Sequence, residues 1–288
     1  MILSTQTDIL SGRYGDIKAV EMIAKAGFDA IDYSMFPLST VQEHPILSPN
    51  YKKYALVLKE VASNNGVFFN QAHAPFPSYK EDDAAYSKEI KARIIRSIEF
   101  CGILGVKQIC IHPVTFRNEE QKEFDFNLSF YRSLVPYAKA SGIKIAIENM
   151  FWRDKSAHTI RAGACGTSYK MVRLFESLDP ECFTCLLDIG HCGLVGEDAA
   201  HFINALGARR LGALHVHDND FKNDMHTLPF TRNLNWQEIT EAFKNIKYKG
   251  EFTFEADMFL APLPDESIPD ALKLMHSVGR QLISMIEK

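Results

Sequence analysis

Residues 184–217 read TCLLDIGHCGLVGEDAAHFINALGARRLGALHVH, and their pattern decides the fold. Two short apolar runs, 184–188 and 213–217, end in polar residues, Asp188 and His217, and enclose a helical candidate at 199–206. Apolar runs of that length suit strands buried on both faces, and a helix between two of them makes one unit of a parallel sheet. The alternation extends in both directions. Further strands are expected at 2–5, 30–34, 67–73, 108–112, 144–148 and 253–255, and further helices at 18–26, 51–63, 128–140, 168–177, 236–243 and 269–287. The clearest helix carries Tyr86, Ile90, Ile94, Ile98 and Cys101, whose steps of three and four keep them on one face. Gly27, Gly66, Gly142 and Gly250 each precede a strand, where a helix end can use a left-handed residue without a Cβ penalty. Eight strands alternating with eight helices is the α/β pattern of a single (β/α)8 TIM barrel, and 288 residues suit one such unit. No charge block or Pro/Gly/Ser linker divides the chain, so one domain over 1–288 is expected.

Hydrophobic residues at 46% and charged residues at 24% exclude a disordered or fibrous class. A net charge of −4 gives no basic footprint for a polyanion, so no nucleic acid is expected as a partner. No apolar run is long enough to cross a bilayer, and the first residues lack the basic and apolar regions of a signal peptide, so a cytoplasmic location is expected and a membrane partner is not. Six cysteines are too sparse for a disulfide scaffold; Cys101, Cys110 and Cys185 lie in apolar patterns and read as buried thiols. Cys182-Phe-Thr-Cys185 has metal-knuckle spacing, but no second such pair accompanies it. A homo-oligomer remains open.

In such a barrel the carboxyl ends of the strands converge on one mouth. The expected strands end at His73, His112, Glu148, Asp188 with His191 three residues on, His215 with His217, and Glu255, and Asp224-Met-His226 follows the seventh. A lone strand-end histidine is usually structural; six of eight strands ending in metal-ligand residue types is another matter. A closing salt-bridge layer would include Lys or Arg, because uncompensated carboxylates in a partly buried site repel one another. None is present, and a divalent cation is the natural balance. Mixed imidazole and carboxylate donors suit Mn²⁺, Co²⁺, Zn²⁺ or Fe²⁺ better than Mg²⁺.

Read as Ile-Glu148-Asn-Met, Leu-Asp188-Ile-Gly-His191, Leu-His215-Val-His217-Asp218-Asn219, Asp224-Met-His226 and Phe-Glu255-Ala-Asp257, these segments resemble the xylose-isomerase-like barrel superfamily. Within it they look most like the sugar phosphate isomerase/epimerase group, over essentially the whole chain. The resemblance to ketose 3-epimerases implies one metal held by Glu148, Asp188, His215 and Glu255, with Glu148 and Glu255 also the acid/base pair. It further implies substrate contacts from His191 and Asp154, and it leaves His73, His112, His217, Asp224 and His226 to bind substrate or shape the pocket. One departure is that the epimerases' substrate-binding Arg falls on or near Phe221 here, so ketohexose specificity does not carry over.

The implied reaction is isomerisation or epimerisation of a small polyhydroxylated substrate, a sugar, sugar phosphate or inosose. A cation bridging its carbonyl and hydroxyl oxygens stabilises an enediolate, while one glutamate removes the α-proton and the other returns one. Two alternatives stay open. The superfamily also contains endonuclease IV, a zinc-dependent abasic-site DNA nuclease whose three zincs have ligands resembling His73, His112, Glu148, Asp188, His191, His215, Asp224, His226 and Glu255. His73-Ala-Pro-Phe and Asp188-Ile-Gly-His191-Cys-Gly do not resemble the nuclease's own segments, and the acidic net charge disfavours a phosphate backbone. The other alternative is a non-catalytic sugar-binding barrel. Phe36, Phe76, Phe151 and Trp152 are candidates to pack on a sugar's apolar face.

Overall fold

In the computed structural model, which describes residues 1–288, the apolar runs become strands. They are β1 (Ile2–Gln6), β2 (Ala30–Ser34), β3 (Phe68–His73), β4 (Gln108–Cys110), β5 (Lys144–Glu148), β6 (Phe151–Asp154), β7 (Thr159–Ala162), β8 (Phe183–Asp188), β9 (Leu211–His215) and β10 (Glu251–Phe254). Eight of them form one parallel sheet in the order β10-β1-β2-β3-β4-β5-β8-β9. Its outer strands meet through a Val216–Phe254 bridge, where the Val216 N–H donates to the Thr253 carbonyl at 3.0 Å and the Glu255 N–H to the Val216 carbonyl at 3.2 Å. The sheet is thereby a nearly closed TIM barrel, as the alternation predicts.

Helices cover the outside because each has one apolar stripe to bury. Helix Ala84–Leu104 buries Ile90, Ile94, Ile98 and Cys101, the face read from their spacing. Helix Ile268–Glu287 buries Leu272, Met275, Leu282 and Ile283 against the barrel wall. Its Gly279 allows close approach, since a Cβ there would lie 2.6 Å from the Leu3 side chain and 2.9 Å from the Phe254 ring. A continuous apolar cluster fills the space between strands and helices. Side chains two apart along a strand share a face, so Ala146 points where Glu148 points, Leu186 where Asp188 points and Ala213 where His215 points. With Cys110 these three form a separate small apolar layer, one step beneath the mouth.

Several elements depart from expectation. Helix Glu120–Ser141 starts well before residue 128; Glu120 and Glu123 in its first turn complement the helix dipole. Additional helices, Asp8–Tyr14 and Ile189–Val195, follow β1 and β8 directly. An antiparallel hairpin, β6 with β7, rises after β5. His112 and His217 lie just beyond β4 and β9 and not inside them. Gly27 and Gly142 end helices at φ 102° and 66° as expected. Gly250 is different, for it sits where a Cβ would fall 2.4 Å from the Tyr248 ring. All six cysteines are free and buried, and no helix is long and apolar enough to cross a membrane.

Candidate metal and active site

The barrel brings the polar strand ends of β3, β4, β5, β8, β9 and β10 to one mouth, over a cavity of about 470 Å³. His73, His112, Glu148, His191, Asp224, His226 and Glu255 line it, with Phe36, Phe76, Tyr79, Met150 and Phe151 as the apolar wall. Asp188, His215 and His217 lie behind these and are 0% exposed. Every residue read as a site candidate gathers here except Asp154. That carboxylate accepts from the Ser156 hydroxyl at 2.6 Å and the Ala157 N–H at 3.1 Å and pairs with Arg161 at 3.0 Å, so it ties the β6–β7 turn. Trp152 also stays out of the cavity lining; the guanidinium of Arg117 sits 5.1 Å from its ring centroid.

One donor of each of Glu148, Asp188, His215 and Glu255 lies within 4.8 Å of every other. His215 Nδ1 is 2.7 Å from Glu148 Oε1 and 3.2 Å from Glu255 Oε2, so the imidazole stands between the two glutamates. Gln6 Nε2 donates to Glu255 Oε1 at 2.8 Å, and the Asn149 side chain accepts from the Asp188 N–H at 2.7 Å. Two further groups adjoin this one. His112 Nε2 lies 2.7 Å from Glu148 Oε2 and 2.9 Å from His73 Nε2. His191, His217, Asp224 and His226 also bring one donor each within 4.8 Å of one another.

The local sequence explains these placements. Asp188 caps the helix that follows it by accepting from the His191 N–H at 2.7 Å, which sets His191 one turn above the strand end. Gly190 is required between them, because a Cβ there would fall 2.0 Å from the His217 ring. The His191 ring is then aimed by its Nδ1, 2.8 Å from the Asn149 carbonyl. His217 stacks on His226 with ring centroids 4.1 Å apart.

Charge is unevenly balanced. Burial pushes the Glu148 carboxyl up, but the His215 and His112 imidazoles outweigh it and hold it well below the usual carboxylate range. Burial opposes the charge on His191 as well, yet Asp188 and then Asp224 push it up to about 10. His215 and His226 rise in the same way, chiefly through Glu255. Asp224 is held low by His191 and His226 in spite of its burial. No Lys or Arg lines the cavity. Buried His217 Nδ1 and Asp224 Oδ1 have no hydrogen-bond partner, and unmet imidazole and carboxylate donors of this kind fit a divalent cation.

Sequence reading missed several contributors. Asp32 on β2 is 0% exposed and reaches to 3.4 Å from His215 Nε2. Cys110 donates its thiol to Glu148 Oε2 at 3.3 Å. Gln6 and Asn149 were invisible too; only the adjacency of Asn149 to Glu148 was a signal.

Comparison with known proteins agrees with the barrel fold. A family profile described as xylose isomerase-like TIM barrel matches residues 20–277. An uncharacterized protein of Methanocaldococcus jannaschii is 26% identical over 280 residues, 94% of this chain and 86% of its own. Among solved structures, D-psicose 3-epimerase from Clostridium cellulolyticum H10, determined with D-tagatose, superposes with a TM-score of 0.74 at 17% identity, over 98% of this chain and 99% of the other. The 3-keto-D-glucoside 4-epimerase of E. coli gives 0.72 at 16% identity, over 96% and 99%.

Proposed function

The chain belongs to the xylose isomerase-like TIM barrel family, and from that premise we propose that it is a metal-dependent isomerase or epimerase of a small polyhydroxylated, sugar-like substrate. The observation that carries the reading is His215 held between Glu148 and Glu255, with Asp188 completing a buried donor set. Glu148, Asp188, His215 and Glu255 would hold one divalent cation, of Mn²⁺, Co²⁺, Zn²⁺ or Fe²⁺ type in preference to Mg²⁺, with Asp224, His191 and His226 left for substrate hydroxyls. When bound, the cation supplies Lewis-acid polarisation of a carbonyl and its neighbouring hydroxyl.

The chain's own residues do the rest. Glu148 and Glu255 flank one point, so a hydroxyketone placed between them offers its α-proton to one carboxylate and its opposite face to the other. Proton return to the far face of the same carbon gives an epimer; return to the adjacent carbon gives an isomer. Phe36, Phe76 and Phe151 exclude water and offer ring faces to the apolar side of a sugar. The similar structures bear the names of sugar epimerases, which supports a sugar-like substrate.

Incubation of metal-loaded protein with ketoses, inososes and hydroxy-keto acids in D₂O tests the reading. Deuterium is expected beside the carbonyl of at least one of them, and Glu148→Gln or Glu255→Gln should slow product formation by roughly 10²–10⁴. Metal and sugar binding with no exchange in any substrate would leave a non-catalytic barrel.

A second reading has its own observation, the additional donor group of His191, His217, Asp224 and His226. Together with His73, His112 and Glu148, it gives the mouth room for more than one cation, as a zinc-dependent abasic-site nuclease would need. Metal content separates the two. One ion per chain is expected; three, with incision of abasic duplex DNA, would replace the isomerase reading.

A further inference from the structure

Asp32 lies inside the barrel with no exposure to solvent, and its only ion-pair contact is an imidazole. Its Oδ2 accepts from Gln71 Nε2 at 2.9 Å and lies 3.4 Å from His215 Nε2, while its Oδ1 has no hydrogen-bond partner. The Gln71 amide is itself held by Gln108, whose Nε2 donates to the Gly212 carbonyl at 3.0 Å and reaches Gln71 Oε1 at 3.5 Å. A row of buried side chains from β4 through β3 and β2 thus aims one carboxylate at the back of His215. A buried carboxylate with no lysine or arginine is costly to the fold, so a chain that keeps one there gains something else from it.

The other face of the same ring shows what is gained. His215 Nδ1 looks at Glu148 and Glu255, and Nε2 looks at Asp32. An imidazole binds a cation through one nitrogen's lone pair, and its ring proton must then sit on the other. Nδ1 is the nitrogen that faces the donor set, 2.7 Å from Glu148 Oε1 and 3.2 Å from Glu255 Oε2, so a cation held there would take its lone pair and leave the ring proton on Nε2, on the side of Asp32. We infer that Asp32 is the positioning residue that fixes His215 as the Nε2–H tautomer, so that Nδ1 is the metal-binding nitrogen and is made more electron-rich by the carboxylate behind it. This inference rests on the reading of Glu148, Asp188, His215 and Glu255 as metal ligands.

Asp32→Asn tests it, because the substitution keeps shape but can turn an N–H toward the ring and favour the opposite tautomer. Zn²⁺ affinity, measured by chelator competition, should fall by roughly 10–100-fold. The melting temperature of the metal-free variant should stay level or rise, since one of three carboxylates crowded around a single imidazole has been removed, while the Zn²⁺-induced rise shrinks. A merely structural Asp32 would instead lower the metal-free melting temperature, and that result overturns the inference. Nitrogen-15 spectra of Zn²⁺-loaded wild-type protein provide a measurement without any variant: the proton of His215 is expected on Nε2, and a proton on Nδ1 overturns the inference. Gln71→Met, which leaves Asp32 in place but removes its aim, should weaken Zn²⁺ in the same direction by less. If wild type binds Zn²⁺ and Asp32→Asn binds it equally well, this inference fails alone. If wild type binds no Zn²⁺, the metal reading fails and takes the inference with it.

Discussion

The two ends of the barrel bury carboxylates in opposite ways. At the amino end of the strands, Glu251 is 6% exposed, with Lys107 Nζ 2.8 Å from one oxygen and Asn70 Nδ2 2.9 Å from the other. Beside it the Ser4 hydroxyl donates to Thr253 Oγ1 at 2.9 Å. At the carboxyl end, Glu148, Asp188, Asp224 and Glu255 have imidazoles as their only ion-pair partners. An ammonium stays charged over any ordinary pH, whereas an imidazole loses its proton near neutrality unless its neighbours prevent it. Neutralisation is therefore permanent at the floor and exchangeable at the mouth. The same residue types, Glu and Asp at strand ends, are structural where a lysine answers them and available for chemistry where removable protons do.

The contrast breaks most directly with metal. Protein stripped by a chelator and then given Mn²⁺, Co²⁺ or Zn²⁺ at a hundred times its dissociation constant should gain about 2.7 kcal/mol, because a ligand that binds only the native state stabilises it by mass action. In a chain of this size that is a rise of roughly 4–5 °C in melting temperature. Asp188→Asn, which removes a mouth carboxylate, should lose most of the rise. Identical melting curves with and without metal would make the mouth a second floor.

The pH dependence sharpens it. In the metal-free protein His191, His215 and His226 hold their protons well above the ordinary imidazole value, with His191 reaching about 10. The folded state then keeps protons that the unfolded chain sheds above about 6.5. The stability that these three imidazoles contribute is accordingly full below pH 6.5 and is lost as pH rises toward 10, since the native state binds more protons on them across that window. Metal loading at Glu148, Asp188, His215 and Glu255 must expel the His215 proton from the metal-binding nitrogen, so apparent affinity should climb as pH rises. Calorimetric titration in two buffers of different ionisation heat measures the release; no proton release would mean that the His215 proton is not displaced.

The barrel and its polar rim were legible because both depend on local pattern. Apolar runs ending in His, Glu or Asp name a strand and its carboxyl end together, and Asp188-Ile-Gly190-His191 carries its own cap and its own close approach. Asp32 was illegible for the opposite reason. It sits inside Ala-Ile-Asp32-Tyr-Ser, an ordinary strand, and gains meaning only when closure of the barrel sets β2 across from β9. Gln6 and Cys110 were hidden likewise, since their partners Glu255 and Glu148 are distant in sequence. The β6–β7 hairpin was missed because its strands lie half-exposed and lack an apolar run. Asp154 stands apart from the cavity lining, on the hairpin whose turn its carboxylate ties.

The smallest expected effect is at the floor, and its smallness is the point. Glu251→Gln removes the charge facing Lys107 but keeps an oxygen for the Asn70 amide. The Lys107 side chain is 64% exposed, so its ammonium turns to water and is not left buried and unpaired. The loss should be that of a solvent-accessible pair, about 0.2–1 kcal/mol, and it should shrink further in molar salt as the charges are screened. Metal content and the rate of deuterium exchange should not change, because the small apolar layer of Cys110, Ala146, Leu186 and Ala213 lies between this end and the mouth acids. Thermal melting at low and high salt, run beside the exchange assay, reads both quantities on one preparation. Were Glu251→Gln to weaken metal binding tenfold, the two ends would be coupled through the barrel interior, and the division between a permanently neutralised floor and an exchangeable mouth would have to be given up.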